Sequence, residues 1–394
     1  MAEATAVRQG LSVKSWAAMM IMVLVSACAV VPKGPPKPVE KPPELPTAPE
    51  AGNLPTDLVR HRVALLVPLT GENAGVGESI ANAANMAVLD TGGKTIRVTT
   101  YDTNLGAASA AQRAISEGNQ VILGPLLAED VRAASAVSKS NRVPIISFSN
   151  DASVAGPGVW LMGFSPTQSI DRVVRYARAK SMTRFAGLFA NGVYGQRAST
   201  AMIRSVEASG GTMVAVATYD RPLASMQAAV RKLPPGAAYD AILIGDSGRG
   251  AVQLVPLVRK NGATTARILG PELWNTENTL ARNPAMAGAW FASVPDGIYT
   301  QLAAKYRTRF AKDPYRLSSL GYDSVLLVTK IAANWRVGTA FPANQLTDPD
   351  GFTGIDGAFR FTSGGVAERM LEVQQFGTTG AVVISPAAKT FEAK

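Results

Sequence analysis

The chain has 394 residues, 47% of them hydrophobic and 17% charged, with a formal charge of +10; that is material for two globular domains and excludes a disordered tail or a disulfide miniprotein. One cysteine, Cys28, and one histidine, His61, rule out an intrachain disulfide, a thiolate zinc cluster and any mechanism that needs two histidines. The basic residues are spread along the chain with no aromatic-interleaved stripe, so the charge carries no nucleic-acid footprint.

Arg8 and Lys14 precede an apolar run from Trp16 to Val25, which ends in Ser26, Ala27 and Cys28. Ten strongly apolar residues make about 15 Å of helix, whereas a hydrocarbon core needs roughly twenty residues, so the run reads as a signal peptide over 1–27 rather than a membrane span. Its ending, Val25-Ser26-Ala27-Cys28, resembles a bacterial lipobox. That resemblance implies a lipid-modified Cys28 at the start of an exported protein, and Ala29 after it fits delivery to the inner leaflet of the outer membrane, facing the periplasm. Residues 28–57 read as a stalk, because nine of the 25 prolines fall between Val31 and Pro55 among lysines and glutamates. With little apolar surface to bury, such a segment runs as a polyproline-rich spacer of about 3 Å per residue, up to ~80 Å long.

From Arg62 onward, short aliphatic runs alternate with amphipathic stretches of helical spacing. Strands are predicted at 62–69, 96–101, 121–124, 143–148 and 160–164, with helices at 79–89, 107–117 and 128–140. A second series follows, with strands at 184–190, 212–219, 240–244, 267–270 and 287–292 and helices at 196–209, 223–233 and 250–261. Helices at 298–310 and 317–335 then precede strands at 358–361, 370–376 and 381–384. Alternation of this kind predicts an α/β protein with two parallel sheets, each covered by helices on both faces.

The ordered pieces VALLVPLTGENAGVGESIANAANMAV (63–88), YDTN (101–104), VILGPL (121–126), VPIISFSND (143–151), NGVYGQ (191–196), ILGPELW (268–274), LGYDSVLL (320–327) and GIDGAFRFTSGG (354–365) resemble the type 1 periplasmic binding-protein fold, its leucine/isoleucine/valine-binding group in particular. The resemblance implies two lobes joined by three crossovers, lobe one being 58–165 plus 294–345 and lobe two 166–293 plus 346–394. Ligands of open α/β sheets bind outside the carboxyl ends of the strands. On that rule the cleft candidates are Thr70, Gly71, Leu126, Ser147, Ser149, Asn150, Asp151, Tyr194, Asp246, Ser247, Glu272 and Trp274.

Two functions compete within this fold. In the transport-linked members, hydroxyl and backbone donors of lobe one hold an amino acid's carboxylate and an acid of lobe two holds its ammonium. By position Ser149, Asn150 and Asp151 would meet the carboxylate, Tyr194 would lie on the closing lobe and Glu272 would face the ammonium, with an ABC permease as partner. The loop Gly124-Pro125-Leu126-Leu127 departs from this pattern, offering leucines where a serine is usual, and Asp151 would repel a carboxylate. The second resemblance is to the LpoA-type penicillin-binding protein activators, lipoproteins whose domain of this fold stimulates a bifunctional peptidoglycan synthase. The lipobox, the stalk and LGPLLAEDV favour this reading as the lead, although the helical repeat domain of the long enterobacterial form is missing. A long tether also suits reaching into a polymer mesh from a fixed membrane.

Other motifs lead nowhere. Gly245-Asp246-Ser247-Gly248 copies a serine-protease loop, yet His61 begins the first strand of the other lobe and is expected to be exposed. No Ser-x-x-Lys is present. Gly71 to Gly77 lacks the Lys-Ser/Thr of a phosphate loop. Trp160, Trp274, Trp290 and Trp335 read as core, with Trp274 placed to line a pocket. The expectation is a non-enzymatic protein with no catalytic residue, metal or cofactor.

Overall fold

The computed structural model describes residues 57, 59–235, 238–277 and 279–391; Cys28, the signal peptide and nearly all of the Pro-rich stretch lie outside the described residues. Five strands, β1 (His61–Val67), β2 (Ile96–Asp102), β3 (Val121–Leu123), β4 (Ile145–Ser147) and β5 (Val159–Leu161), form a parallel sheet in the order β2-β1-β3-β4-β5. β1 is central, and Val63 through Val67 are wholly buried, as an uninterrupted aliphatic run must be when helices cover both faces. Those helices are α1 (Ala74–Asp90), α2 (Ala107–Ser116) and α3 (Ala128–Asn141).

The chain then crosses to the second lobe, which begins with α4 (Pro166–Ala179). Proline suits this first helical position because its missing N–H would be unpaired there anyway, and Ile170, Val173, Val174 and Ala177 form the buried stripe. There follow β6 (Arg184–Ala190), α5 (Val193–Ala208), β7 (Thr212–Tyr219), α6 (Leu223–Arg231), β8 (Ala241–Gly245), α7 (Gly248–Lys260), β9 (Arg267–Gly270) and β10 (Trp290–Ser293).

A second crossover leads back through α8 (Gly297–Phe310) and α9 (Ser318–Ala332) to the first lobe. There α9 lies so close on α1 that a Cβ at Gly321 would sit 2.3 Å from the Ile80 carbonyl oxygen. Next comes a small antiparallel sheet of β11 (Phe352–Gly354), β12 (Gly357–Phe361) and β13 (Ala367–Arg369). The third crossover delivers β14 (Glu372–Phe376) and β15 (Ala381–Ser385), which complete a seven-stranded sheet, β15-β14-β10-β9-β8-β6-β7, antiparallel only at β14 and β15.

The structure moves two expectations. The lobe division set at residue 346 falls instead near residue 370, because Leu346, Phe352, Phe359, Phe361 and Ala367 are buried in the core built on β1 and α1. His61 is buried, not exposed: its ring stacks on the Trp335 indole at 3.8 Å. Among the described residues no helix is long and apolar enough to cross a membrane.

Candidate functional site

The second sheet is mixed and not parallel throughout as expected, and the loops at the carboxyl ends of the parallel strands of both sheets face each other across a cleft. It holds a cavity of about 460 Å³. From the first lobe Val76, Leu126, Leu127 and Phe148 line it, with Asn73 and Asn150 at polar positions; Phe164 comes from the first crossover, Glu272, Leu273 and Thr276 from the second lobe, and Tyr315 to Leu317 from the approach to α9.

Glu272 is the buried acid of the cavity wall. It starts the turn after β9, where the extended Pro271 ends the strand, and is 6% exposed. Ser169, in the first turn of α4, donates its hydroxyl to Oε2 and accepts the Glu272 backbone N–H at 3.3 Å. The Tyr194 hydroxyl, from the first turn of α5, donates to Oε1 at 3.0 Å. No cation pairs with the carboxyl among the described residues. Burial pushes it up to about 7, against the two hydroxyl donors that favour its ionised form. Burial, and then the neighbouring Glu272 charge, pushes the Tyr194 phenol well above its ordinary value.

The cavity's cation is spent. Arg316 is buried and gives Nε to Asp296 Oδ1 at 3.1 Å and Nη1 to Asp356 Oδ1 at 2.8 Å, while its guanidinium lies 4.1 Å from the centre of the Tyr299 ring. Asp356 also accepts the Ser319 hydroxyl at 2.7 Å. Behind it Asp323 accepts the backbone N–H groups of Ile355 and Asp356, and burial followed by the Asp356 charge raises its carboxyl. Arg369, stacked near Phe164 and Phe359, donates Nη2 to the Met162 carbonyl at 2.6 Å. It lines an adjoining chamber of about 10 Å³, which shares Phe164, Glu272, Thr276 and Arg316 with the larger cavity, room for about one water.

Of the residues expected at the cleft, Leu126, Asn150 and Glu272 line the cavity, and Tyr194 supports Glu272. The others have structural work. Ser147 donates to the Pro125 carbonyl at 2.9 Å and accepts the Ser149 N–H, and Ser149 accepts the Asp151 N–H. Asp151 is paired with Arg197 of α5 at 2.6 Å and Arg132 of α3 at 3.5 Å, which ties the lobes together across the cleft. Thr70 donates to Asp102, and Gly71, at φ +73°, packs against Asn104. Asp246 accepts Tyr219 and Arg221, and Ser247 caps α7. Trp274 is core and not pocket wall: it is 1% exposed and donates its indole N–H to the Asp246 carbonyl at 3.0 Å.

A family model described as periplasmic binding protein matches residues 61–380. The chain belongs to that family. A leucine-binding protein from Thermotoga maritima covers 82% of this chain and 98% of its own at 18% identity, with a TM-score of 0.64. A branched-chain amino acid binding protein from Streptococcus pneumoniae, solved with isoleucine, covers 83% and 100% at 19% identity, TM-score 0.63. A solute-binding protein from Rhodopseudomonas palustris, solved with 4-hydroxybenzoate, covers 84% and 97% at 18% identity, TM-score 0.64. At these identities the likeness is one of fold. The curated relative matched, a protein of Rickettsia prowazekii with no assigned role, is 27% identical over 142 residues, and the match spans 38% of its length.

Proposed function

We propose that the protein is a receptor that captures a small organic solute between its lobes and presents it to an ABC permease in the cell envelope. One observation carries this reading: a cavity of about 460 Å³ lies where the parallel strands of the two sheets end, with one acid, Glu272, in an otherwise mainly apolar wall. Such size and lining are those of small-molecule sites. The leucine- and hydroxybenzoate-binding structures of the same fold support it by analogy. The lipobox resemblance adds an anchor at Cys28, and the Pro-rich stretch a spacer, so the receptor would work on a tether.

The activator reading, with a bifunctional penicillin-binding protein as partner, draws on that same tether and on the leucines of the 124–127 loop. A thermal-shift screen against amino acids, aromatic acids, amines and muropeptides separates the two. A ligand at one hundred times its Kd stabilises the folded state by about 2.7 kcal/mol, a rise of roughly 2–4 °C in Tm. No shift with any solute, together with retention of a synthase on the immobilised protein, overturns the receptor reading.

A further inference from the structure

We infer that the cleft selects an amine with an apolar body and no carboxylate, in preference to the corresponding amino acid. The inference rests on the receptor reading and follows from the charges and hydrogen bonds of the cavity wall.

An amino acid brings two opposite charges and needs an answer to each. Its ammonium has one in Glu272, whose oxygens are held by Ser169 and Tyr194 and form no ion pair among the described residues. Thr276, which donates its own hydroxyl proton to the Leu273 carbonyl, leaves its oxygen free to accept from the same cavity wall.

Its carboxylate meets no uncommitted cation in the larger cavity. On the loop where the carboxylate would dock, Ser147 gives its hydroxyl proton to the Pro125 carbonyl, and the Ser149 oxygen accepts the Asp151 N–H. Arg316 is bound between Asp296 and Asp356. Arg369 lines the one-water chamber, to which Glu272 and Arg316 also contribute, and not the larger cavity. The helix ends offer no substitute: the first turn of α3 carries its own Glu129 and Asp130, and at the start of α1 the Tyr315 ring lies over Gly75, its hydroxyl 3.1 Å from where a Cβ would be. The first lobe presents mainly apolar side chains, Val76, Leu126, Leu127 and Phe148, with the neutral amides of Asn73 and Asn150 as its polar groups. A buried carboxylate without a partner is among the costliest groups to bring out of water, whereas an alkyl or aryl body is favoured by the same wall.

Matched probes test this by titration calorimetry on the full chain in detergent: 3-methylbutylamine, leucine and 4-methylpentanoate, then 2-phenylethylamine, phenylalanine and 3-phenylpropanoate. The expected order puts the amine at least tenfold tighter than its amino acid, and the carboxylate weakest. Glu272→Gln, checked for an unchanged circular dichroism spectrum, should weaken the amine about a hundredfold and leave the carboxylate where it was. Ser169→Ala and Tyr194→Phe, which touch Glu272 and not the cavity, should weaken the amine in part. Binding of leucine, phenylalanine or either carboxylate at or above the amine's affinity overturns the inference and leaves the receptor reading standing. No binding of any of the six at millimolar concentration overturns the inference, and a thermal-shift screen without a single solute hit then overturns the receptor reading as well.

Discussion

Glu272 is held at about 7, above its ordinary 4.5, so the folded protein keeps this proton more tightly than the unfolded chain does. Folding stability should therefore fall as pH rises from about 4.5 to about 7 and level off above that. Glu272→Gln removes this component, and urea melts of the two proteins at pH 5 and pH 8 check it: the variant should gain about 1–3 kcal/mol over the parent on going from the lower pH to the higher. Trp274 is a contrasting neighbour two residues on. Its indole fills the space over Gly270, where a Cβ would meet the ring at 2.2 Å, and it packs against Phe291 and Phe376. Trp274→Ala should cost about 3–5 kcal/mol, read as a lower urea midpoint.

At the scale of elements, Asp151 and Arg197 join the loop after β4 to the first turns of α5. The pair is only partly buried, so it contributes about 1 kcal/mol or less and is screened by salt. Arg197→Ala should lengthen the distance between spin labels on the two lobes in the absence of ligand, and added salt should reproduce part of that effect in the parent; an unchanged distance in both would mean that the pair does not restrain the lobes. The strands were legible because Val63–Val67 and Ala241–Ile244 are aliphatic runs too short for a buried helix. Helix α4 was not, since Thr167, Gln168, Asp171, Arg172 and Arg175 dominate its outer face and mask a stripe of four apolar residues. The hairpin β11–β12 was assigned to the wrong lobe for a related reason: Phe359 and Phe361 declare a buried face but not which core receives it. Of the site, Glu272 could be placed from family position. Phe164, Ser169 and Arg316 could not, because segments far apart in sequence bring them together and none stands in a local motif.

At the scale of the molecule, neither lobe is a continuous stretch of chain. The first is closed by α9 against α1, with Tyr322 donating to Asp90 at 2.7 Å from 232 positions away, and the second lacks an inner strand until β14 is in place between β10 and β15. Synthesis proceeds from the amino terminus, so most of the chain must be made before either core can close. Contacts of such long sequence separation form slowly. A fragment ending at residue 293 should accordingly be digested rapidly by a protease that leaves the full chain intact, although it contains every strand of the first parallel sheet. With the lobes interleaved, the last strands to be made are the ones that complete both cores.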